Sequence, residues 1–224
     1  EASTLAKTLK KYSSQDLQEL MGISEKLGDL NFERYQNFQL PLNDDNARAA
    51  IFAFKGDVYD NMTADTYTEE DMAFAQKSIG ILSGMYGLLR PTDYLYPYRL
   101  EMGTALPTDK GDNLYQFWGS KITDAINQQE KDVVVNLASN EYFKAVNKKD
   151  LKPKCLDIVF KQNKGGKLKT LGLMAKRARG MMADYIVKNR INDPADLLKF
   201  DMGGYRFMPD MSKDNSFVFV MDMD

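Results

Sequence analysis

Three cations stand within four residues at Lys176-Arg177-Ala178-Arg179, flanked by Ala175 and Gly180. They follow an apolar run that reads as a strand, so the spacing predicts a helix opening at about residue 175. Cations in a first turn oppose the helix dipole by roughly 0.3–1 kcal/mol each when exposed. The same turn leaves backbone N–H donors without partners. A bound anion, phosphate above all, would relieve the repulsion and satisfy the donors together. Solvation of the face, or pairing with acids elsewhere in the fold, is the alternative.

Four further segments combine residue types that bind or react. Lys55-Gly56-Asp57 follows an apolar run, where Gly56 would allow close backbone approach and Lys55 would reach an anion; a turn with a local Lys–Asp pair is the other reading. It lacks the Gly-x-x-x-x-Gly-Lys-Ser/Thr spacing of a P-loop. A Gly- and Tyr-rich stretch runs from Ser83-Gly84-Met85-Tyr86-Gly87 through Arg90 and Asp93 to Arg99-Leu100-Glu101. Gly84 and Gly87 could end a preceding helix. Arg99 and Glu101 would share one face of an extended segment, and these Arg and acid side chains read as an internal ion-pair network that could instead hold an anion. Asn136-Leu137-Ala138-Ser139-Asn140-Glu141-Tyr142 joins a strand to a helix start, a place where ligands often bind and where Ser139 could also be a plain cap. Last, Gly22-Ile23-Ser24, followed by Lys26, joins two short helices. That turn is similar to the hairpin of helix-hairpin-helix modules, which hold DNA phosphate through backbone N–H groups without reading sequence. Ser24 stands where such hairpins carry a second glycine, and no proline precedes Gly22; a plain αα-hairpin remains open.

The elements that must position these residues are legible in outline. Residues 3–38 read as helical, with Ser13 or Ser14 capping a helix to Met21 and a second helix from about Ser24 that packs through Leu27, Leu30 and Phe32. Residues 49–54 read as a buried strand. Thr68 caps a helix with three acids in its first turn. Residues 83–111 read as ordered but irregular. A helix fits 112–129, a short buried strand 132–136, and a helix from Ser139 to about Val146. Strands at 155–161 and 167–174 flank Lys164-Gly165-Gly166, a hairpin signal. A helix covers 175–190, Asp193-Pro194 starts a short one, and strands near 205–208 and 216–221 follow. Strands and helices without regular alternation predict an α+β fold: a mixed β-sheet core surrounded by helices, with the helix-hairpin-helix-like element at the N-terminal side.

Composition narrows the chemistry. The 224 residues contain no histidine and one cysteine, Cys155. That excludes Ser-His-Asp and Cys-His catalysis, His-ligated metals, an internal disulfide and a thiolate zinc site. Cys155 lies in an apolar run and reads as a buried structural residue. No metal or cofactor motif is found, and with only carboxylates available direct iron chelation is a poor reading. The net charge is −2, but residues 144–179 hold twelve Lys and Arg against Asp150 and Asp157. That block carries +10 and the rest −12, a split that speaks of an anionic partner. Much of it, from Lys148 to Lys169, reads as solvated loop and hairpin. No stretch approaches 18 apolar residues and no signal-peptide pattern opens the chain, so a cytoplasmic protein without a membrane partner is expected.

Several long blocks, taken in register, carry a resemblance. Phe54-Lys55-Gly56-Asp57-Val58-Tyr59, the Leu82–Pro91 stretch, Pro97-Tyr98-Arg99-Leu100-Glu101-Met102-Gly103, Leu114-Tyr115-Gln116-Phe117-Trp118-Gly119, Asn136–Lys144 and Ala175–Gly180 resemble the bacterial YaaA family of peroxide-stress resistance proteins, in the family's order and over nearly the whole chain. The resemblance implies a protein that limits iron-linked oxidative damage and binds double-stranded DNA through a helix-hairpin-helix element and a positively charged cleft. The family's opening Ser-Pro-Ala-Lys segment is not found, and a single domain over 1–224 is expected without it.

Two functions follow as expectations. In the first, Lys176, Arg177 and Arg179 contact DNA phosphates, Lys55, Arg90 and Arg99 line a cleft, and Gly22, Ile23, Ser24 and Lys26 dock a second backbone stretch. In the second, the chain is an enzyme acting on a phosphorylated or nucleotide-like small molecule, with Glu101 or Glu141 as acid or base and Arg99 or Lys55 as the anion clamp.

Overall fold

The computed structural model describes residues 1–223. In chain order its elements are α1 (Ala2–Leu9), α2 (Ser14–Met21), α3 (Glu25–Gln36), β1 (Arg48–Ala49), α4 (Ala50–Ala53), α5 (Glu69–Ser78), β2 (Ile81–Ser83), β3 (Gly87–Leu89) and β4 (Tyr94–Leu95). There follow α6 (Leu114–Trp118), α7 (Lys121–Asn127), β5 (Val133–Asn136), α8 (Asn140–Phe143), β6 (Lys154–Lys164), β7 (Lys167–Lys169), α9 (Gly172–Lys188), β8 (Tyr205–Phe207) and β9 (Ser216–Met223). The architecture is α+β with a mixed principal sheet, as the sequence predicts. No helix among the described residues is long and apolar enough to cross a membrane. The chain gathers into two compact units. One comprises residues 1–53, 80–128 and 139–150; the other comprises 54–79, 129–138 and 151 onward.

In the first unit, local signals set the helices. Ser13 and Asp16 form a reciprocal capping box at the start of α2. Gly22 ends α2 in the left-handed region at φ +60°, and the Ile23 N–H reaches back to the Gln18 carbonyl at 3.1 Å. The chain then turns into α3, which packs against α2 as an αα-hairpin. α3 buries Gly28, Asn31 and Tyr35, whereas Leu30, expected to pack, is 38% exposed.

Four other expectations here are corrected. Residues 49–54 are not a strand: after two residues paired with β4, the chain enters the helical turn α4. An apolar run without alternation does not distinguish the two, and its alanines favour helix. Gly84 and Gly87 do not end a helix; they lie in the β2–β3 hairpin, with Ser83 opposite Gly87, and α5 stops at Ser78. The single helix over 112–129 is two, α6 and α7, broken where Gly119 adopts φ +52° and ψ −123°. α8 is one turn, capped by the Ser139 hydroxyl, and stops at Phe143 rather than Val146.

The second unit is built on a five-stranded sheet. β6 lies between β5 and β9, parallel to both; β8 runs antiparallel on β9. β5 pairs only the first residues of β6, and β7 pairs its last three, antiparallel across the Gly165-Gly166 turn. Leu156, Ile158, Phe160 and Gln162 of β6 alternate onto one buried face. There the first three form a core with Ala178 and Met182 of α9, and with Phe200, Tyr205 and Phe219. Cys155 is half-buried beside Asp157 rather than enclosed. α9 is also buried on a second side through Gly180, Ala183, Asp184 and Val187. Asp184 accepts from the Thr63 N–H and hydroxyl, both at 2.9 Å. Asp71 of α5 pairs with Arg190 at 3.1 Å.

One boundary bears directly on function. The predicted strand at 167–174 ends at Lys169, and α9 opens at Gly172, three residues earlier than expected. Gln162 Oε1 takes the Leu171 N–H at 2.7 Å, which ends strand pairing and starts the helix.

Candidate nucleic-acid interface

The earlier start of α9 moves its cations. Gly172 to Ala175 form the first turn, so Lys176, Arg177 and Arg179 all lie in the second. The dipole's influence fades within the first turn. Repulsion at a helix start therefore does not account for an anion site here. What the geometry offers instead is a guanidinium short of partners. Arg179 is half-buried, burial pushes its pKa downward, and no acid lies within ion-pair distance of it among the described residues. Lys176 and Arg177 are exposed.

The neighbouring turn holds the Lys55 motif. Lys55 follows a helical turn, not a strand, and Gly56 takes φ +112°. The chain then folds into a 3-10 turn at Tyr59–Asn61, with Phe54 and Tyr59 stacked at 5.0 Å. Gly180 of α9 abuts this turn: a Cβ at Gly180 would lie 2.1 Å from the Val58 carbonyl oxygen. That contact brings the Arg177 Nε to 3.5 Å from Asp57 Oδ1. At 48% and 33% side-chain exposure the pair is worth at most about 1 kcal/mol, weak enough to yield to a phosphate. Lys55 is exposed and makes no ion pair among the described residues.

The first unit holds a different cluster. Arg99 Nη2 donates to Glu101 Oε1 at 2.8 Å, while its Nε is buried with no acceptor among the described residues. The Tyr35 hydroxyl donates to the Arg99 carbonyl. Glu141 Oε1 accepts the Gly103 N–H at 2.9 Å, and the Tyr115 hydroxyl donates to the Glu141 carbonyl. Burial, then the charges of Glu141 and Glu101, push the Tyr142 phenol up to about 12. Beneath the cluster the Trp118 indole donates to the buried Gly84 carbonyl at 3.0 Å. Arg90 is closed into a turn by Asp93, with an ion pair at 3.4 Å. The expected pairings, Arg99 with Glu101 and Arg90 with Asp93, are both present.

The structure thus brings Arg177 to the turn that carries Lys55, through Asp57, while Arg179, two residues further along α9, points to another side of the helix. Lys176 projects from the same helix. Arg99, Glu101 and Glu141 gather in the first unit, which also carries Arg90 and the hairpin residues Gly22, Ile23, Ser24 and Lys26. Ser24 caps α3 through its backbone position alone, and Lys26 is exposed. The +10 block is divided: Lys144, Lys148 and Lys149 belong to the first unit and the remaining cations to the second.

Comparison with known proteins agrees with the order of the motif blocks. A family profile described as peroxide stress protein YaaA matches residues 1–211. The chain belongs to the YaaA family. A UPF0246 protein of Acaryochloris marina is 54% identical over 217 residues, covering 96% of this chain and 86% of its own length. UPF0246 proteins of Saccharophagus degradans and of a Marinomonas strain are each 49% identical over 98% of the chain and cover 88% and 85% of their own lengths.

In this YaaA-family chain two glycines of the motif blocks, Gly84 and Gly180, share a physical reason. Gly84 would place a Cβ 2.3 Å from the Leu100 carbonyl oxygen, and Gly180 meets Val58 as described. At these two positions the blocks are contact points between separate segments of the chain. Sequence reasoning missed the Asp184 network with Thr63 and Lys188; an Asp on the buried side of a helix was the available signal. It also passed over the lysines of the β6–β7 hairpin.

Proposed function

We propose that this YaaA-family protein binds double-stranded DNA without strong sequence preference and by that contact limits iron-linked oxidative damage under peroxide stress. The carrying observation is the pair of exposed cations Lys176 and Arg177 on α9, with Arg177 held through Asp57 against the turn that carries exposed Lys55. Guanidinium and ammonium donors suit phosphate oxygens, and phosphate contacts hold a duplex without reading its bases. The α2–α3 turn at Gly22–Ser24, with Lys26 in the first turn of α3, is a second backbone contact in the manner of a helix-hairpin-helix. Arg90 and Arg99 already pair with acids, so they contribute less than α9.

The test is duplex affinity across 50–200 mM salt, with unrelated sequences of equal length. Each phosphate contact steepens the log–log salt dependence by about 0.9. Lys176→Ala/Arg177→Ala/Arg179→Ala should flatten it by about 2 to 3 and weaken all sequences alike. Unchanged affinity in this variant would remove α9 from the interface.

A second reading is favoured by one observation, the buried Arg99 Nε without an acceptor. With Glu101 and Glu141 nearby, this cluster suits a small phosphorylated substrate, Arg99 clamping the anion and a carboxylate moving the proton. Titration of inorganic phosphate and a nucleoside monophosphate against wild type and Arg99→Ala tests it. Equal, weak binding by both proteins refutes the site.

A further inference from the structure

We infer that the β6–β7 hairpin is a second phosphate-contacting element for the duplex, presenting Lys164, Lys167 and Lys169 on the face of the sheet that carries α9. This rests on the DNA-binding reading above. The placement follows from register. Leu156, Ile158, Phe160 and Gln162 alternate onto the face covered by α9, so Lys164, two residues further along, points the same way. In β7, Lys167 is directly opposite Lys164 and Lys169 directly opposite Gln162. Residues opposite one another in an antiparallel pair share a face. Gln162 confirms the side, since its side chain accepts the N–H of Leu171 immediately before α9. Leu168, between the two β7 lysines, turns to the other face.

The charge arrangement works against the isolated fold. Side chains directly opposite in an antiparallel pair have Cβ atoms about 4.5–5.5 Å apart, and like charges there are destabilising. Lys164 and Lys167 occupy such a pair, at the mouth of a two-residue turn. Gly165 and Gly166 take φ +57° and +77°, so the turn is tight and holds the two lysines abreast. All three lysines are exposed, and none makes an ion pair among the described residues. Among the described residues no acid pairs with them to offset the repulsion. An external polyanion would, and flexible ammonium side chains match a run of phosphates better than a single fixed ligand. Duplex DNA supplies one negative charge per roughly 1.7 Å of axis, dense enough for lysines standing side by side to find separate phosphates.

The experiment uses the full chain. Duplex affinity is measured across 50–200 mM salt for wild type, for Lys164→Gln/Lys167→Gln/Lys169→Gln, for the same three positions changed to Arg, and for the α9 triple variant. The Gln variant should flatten the salt dependence by about 0.9 per lost contact, which at 0.1 M salt is about eight-fold for one lysine and about 500-fold for all three. The Arg variant should restore it, and the Gln variant should melt no lower than wild type, because a repulsion has been removed. If the wild type binds and the α9 variant weakens it while the Gln variant keeps the full salt dependence, the hairpin inference falls and the DNA reading stands. If the Arg variant fails to restore binding, the effect is not electrostatic and the inference also falls. If the wild type does not bind duplex at all, the DNA reading fails and takes the hairpin with it. Polyglutamate competing as well as an equal concentration of DNA charge would overturn duplex as the occupant.

Discussion

Gly180→Ala sets two known effects against each other, and the structure decides the sign. Position 180 lies mid-helix in α9, where alanine is favoured over glycine by about 1 kcal/mol. The new methyl group, however, would lie 2.1 Å from the Val58 carbonyl oxygen and 2.9 Å from the Asn61 Cβ. Ordinary van der Waals contact begins near 3.4 Å. The helix and the 58–61 turn must therefore separate by about an ångström or more, and the obstacle is backbone, which cannot rotate aside. Overpacking of this kind costs typically 1–3 kcal/mol, and a backbone clash falls toward the upper end. The expected net result is a loss of about 1–2 kcal/mol. For a chain of this size that is a fall in Tm of roughly 2–8 °C, read by circular dichroism and by the urea midpoint. Gly172→Ala is the matched control, since a Cβ there meets nothing within 4 Å and its melting should hold or rise slightly. If Gly180→Ala melts at or above wild type, the reading of Gly180 as a required close contact is wrong.

Three further outcomes are expected. Asp184→Ala should destabilise by about 1–2 kcal/mol in urea denaturation, because it removes the buried carboxylate that accepts from the Thr63 N–H and hydroxyl, whereas Thr63→Ala, at an exposed position, should cost less. Trp118→Phe keeps the apolar bulk but leaves the buried Gly84 carbonyl without its donor, and a loss of about 1–3 kcal/mol in the same assay is expected. Tyr142 and Tyr86 are each pushed up to about 12, chiefly by burial, from an ordinary 10. A phenol held neutral in the fold contributes stability that is complete below pH 10 and lost as pH rises toward 12, because the unfolded chain ionises first. Urea midpoints at pH 9 and 11 should differ less in Tyr142→Phe than in wild type; an equal difference would remove Tyr142 from the alkaline transition.

The sequence by itself determined the family, the fold class and most element types. Capping residues such as Ser13, Thr68, Ser139 and Asp193 mark helix starts through bonds to N–H groups two or three residues away, and those bonds are present. The Gly165-Gly166 turn was legible because few other residues accept two successive positive φ angles. The pairing of Arg99 with Glu101 followed from a spacing of two in extended chain. Each of these is a local interaction, written in residues close together in sequence.

What only the tertiary structure decided is where non-local contacts override local preference. The Ala50–Ala53 run is helical where Ala50 and Ile51 donate to the Asp93 and Pro91 carbonyls, forty or more residues on in the chain. The start of α9 was set by the Gln162 side chain from β6, and that shift of three residues removed the helix-dipole argument for its cations. The register of β6 with β7 then put Lys164, Lys167 and Lys169 on the α9 face, where a sequence shows only a run of lysines. Charge was visible in the sequence; its direction was not, because direction depends on which strand edge and which helix turn a residue occupies.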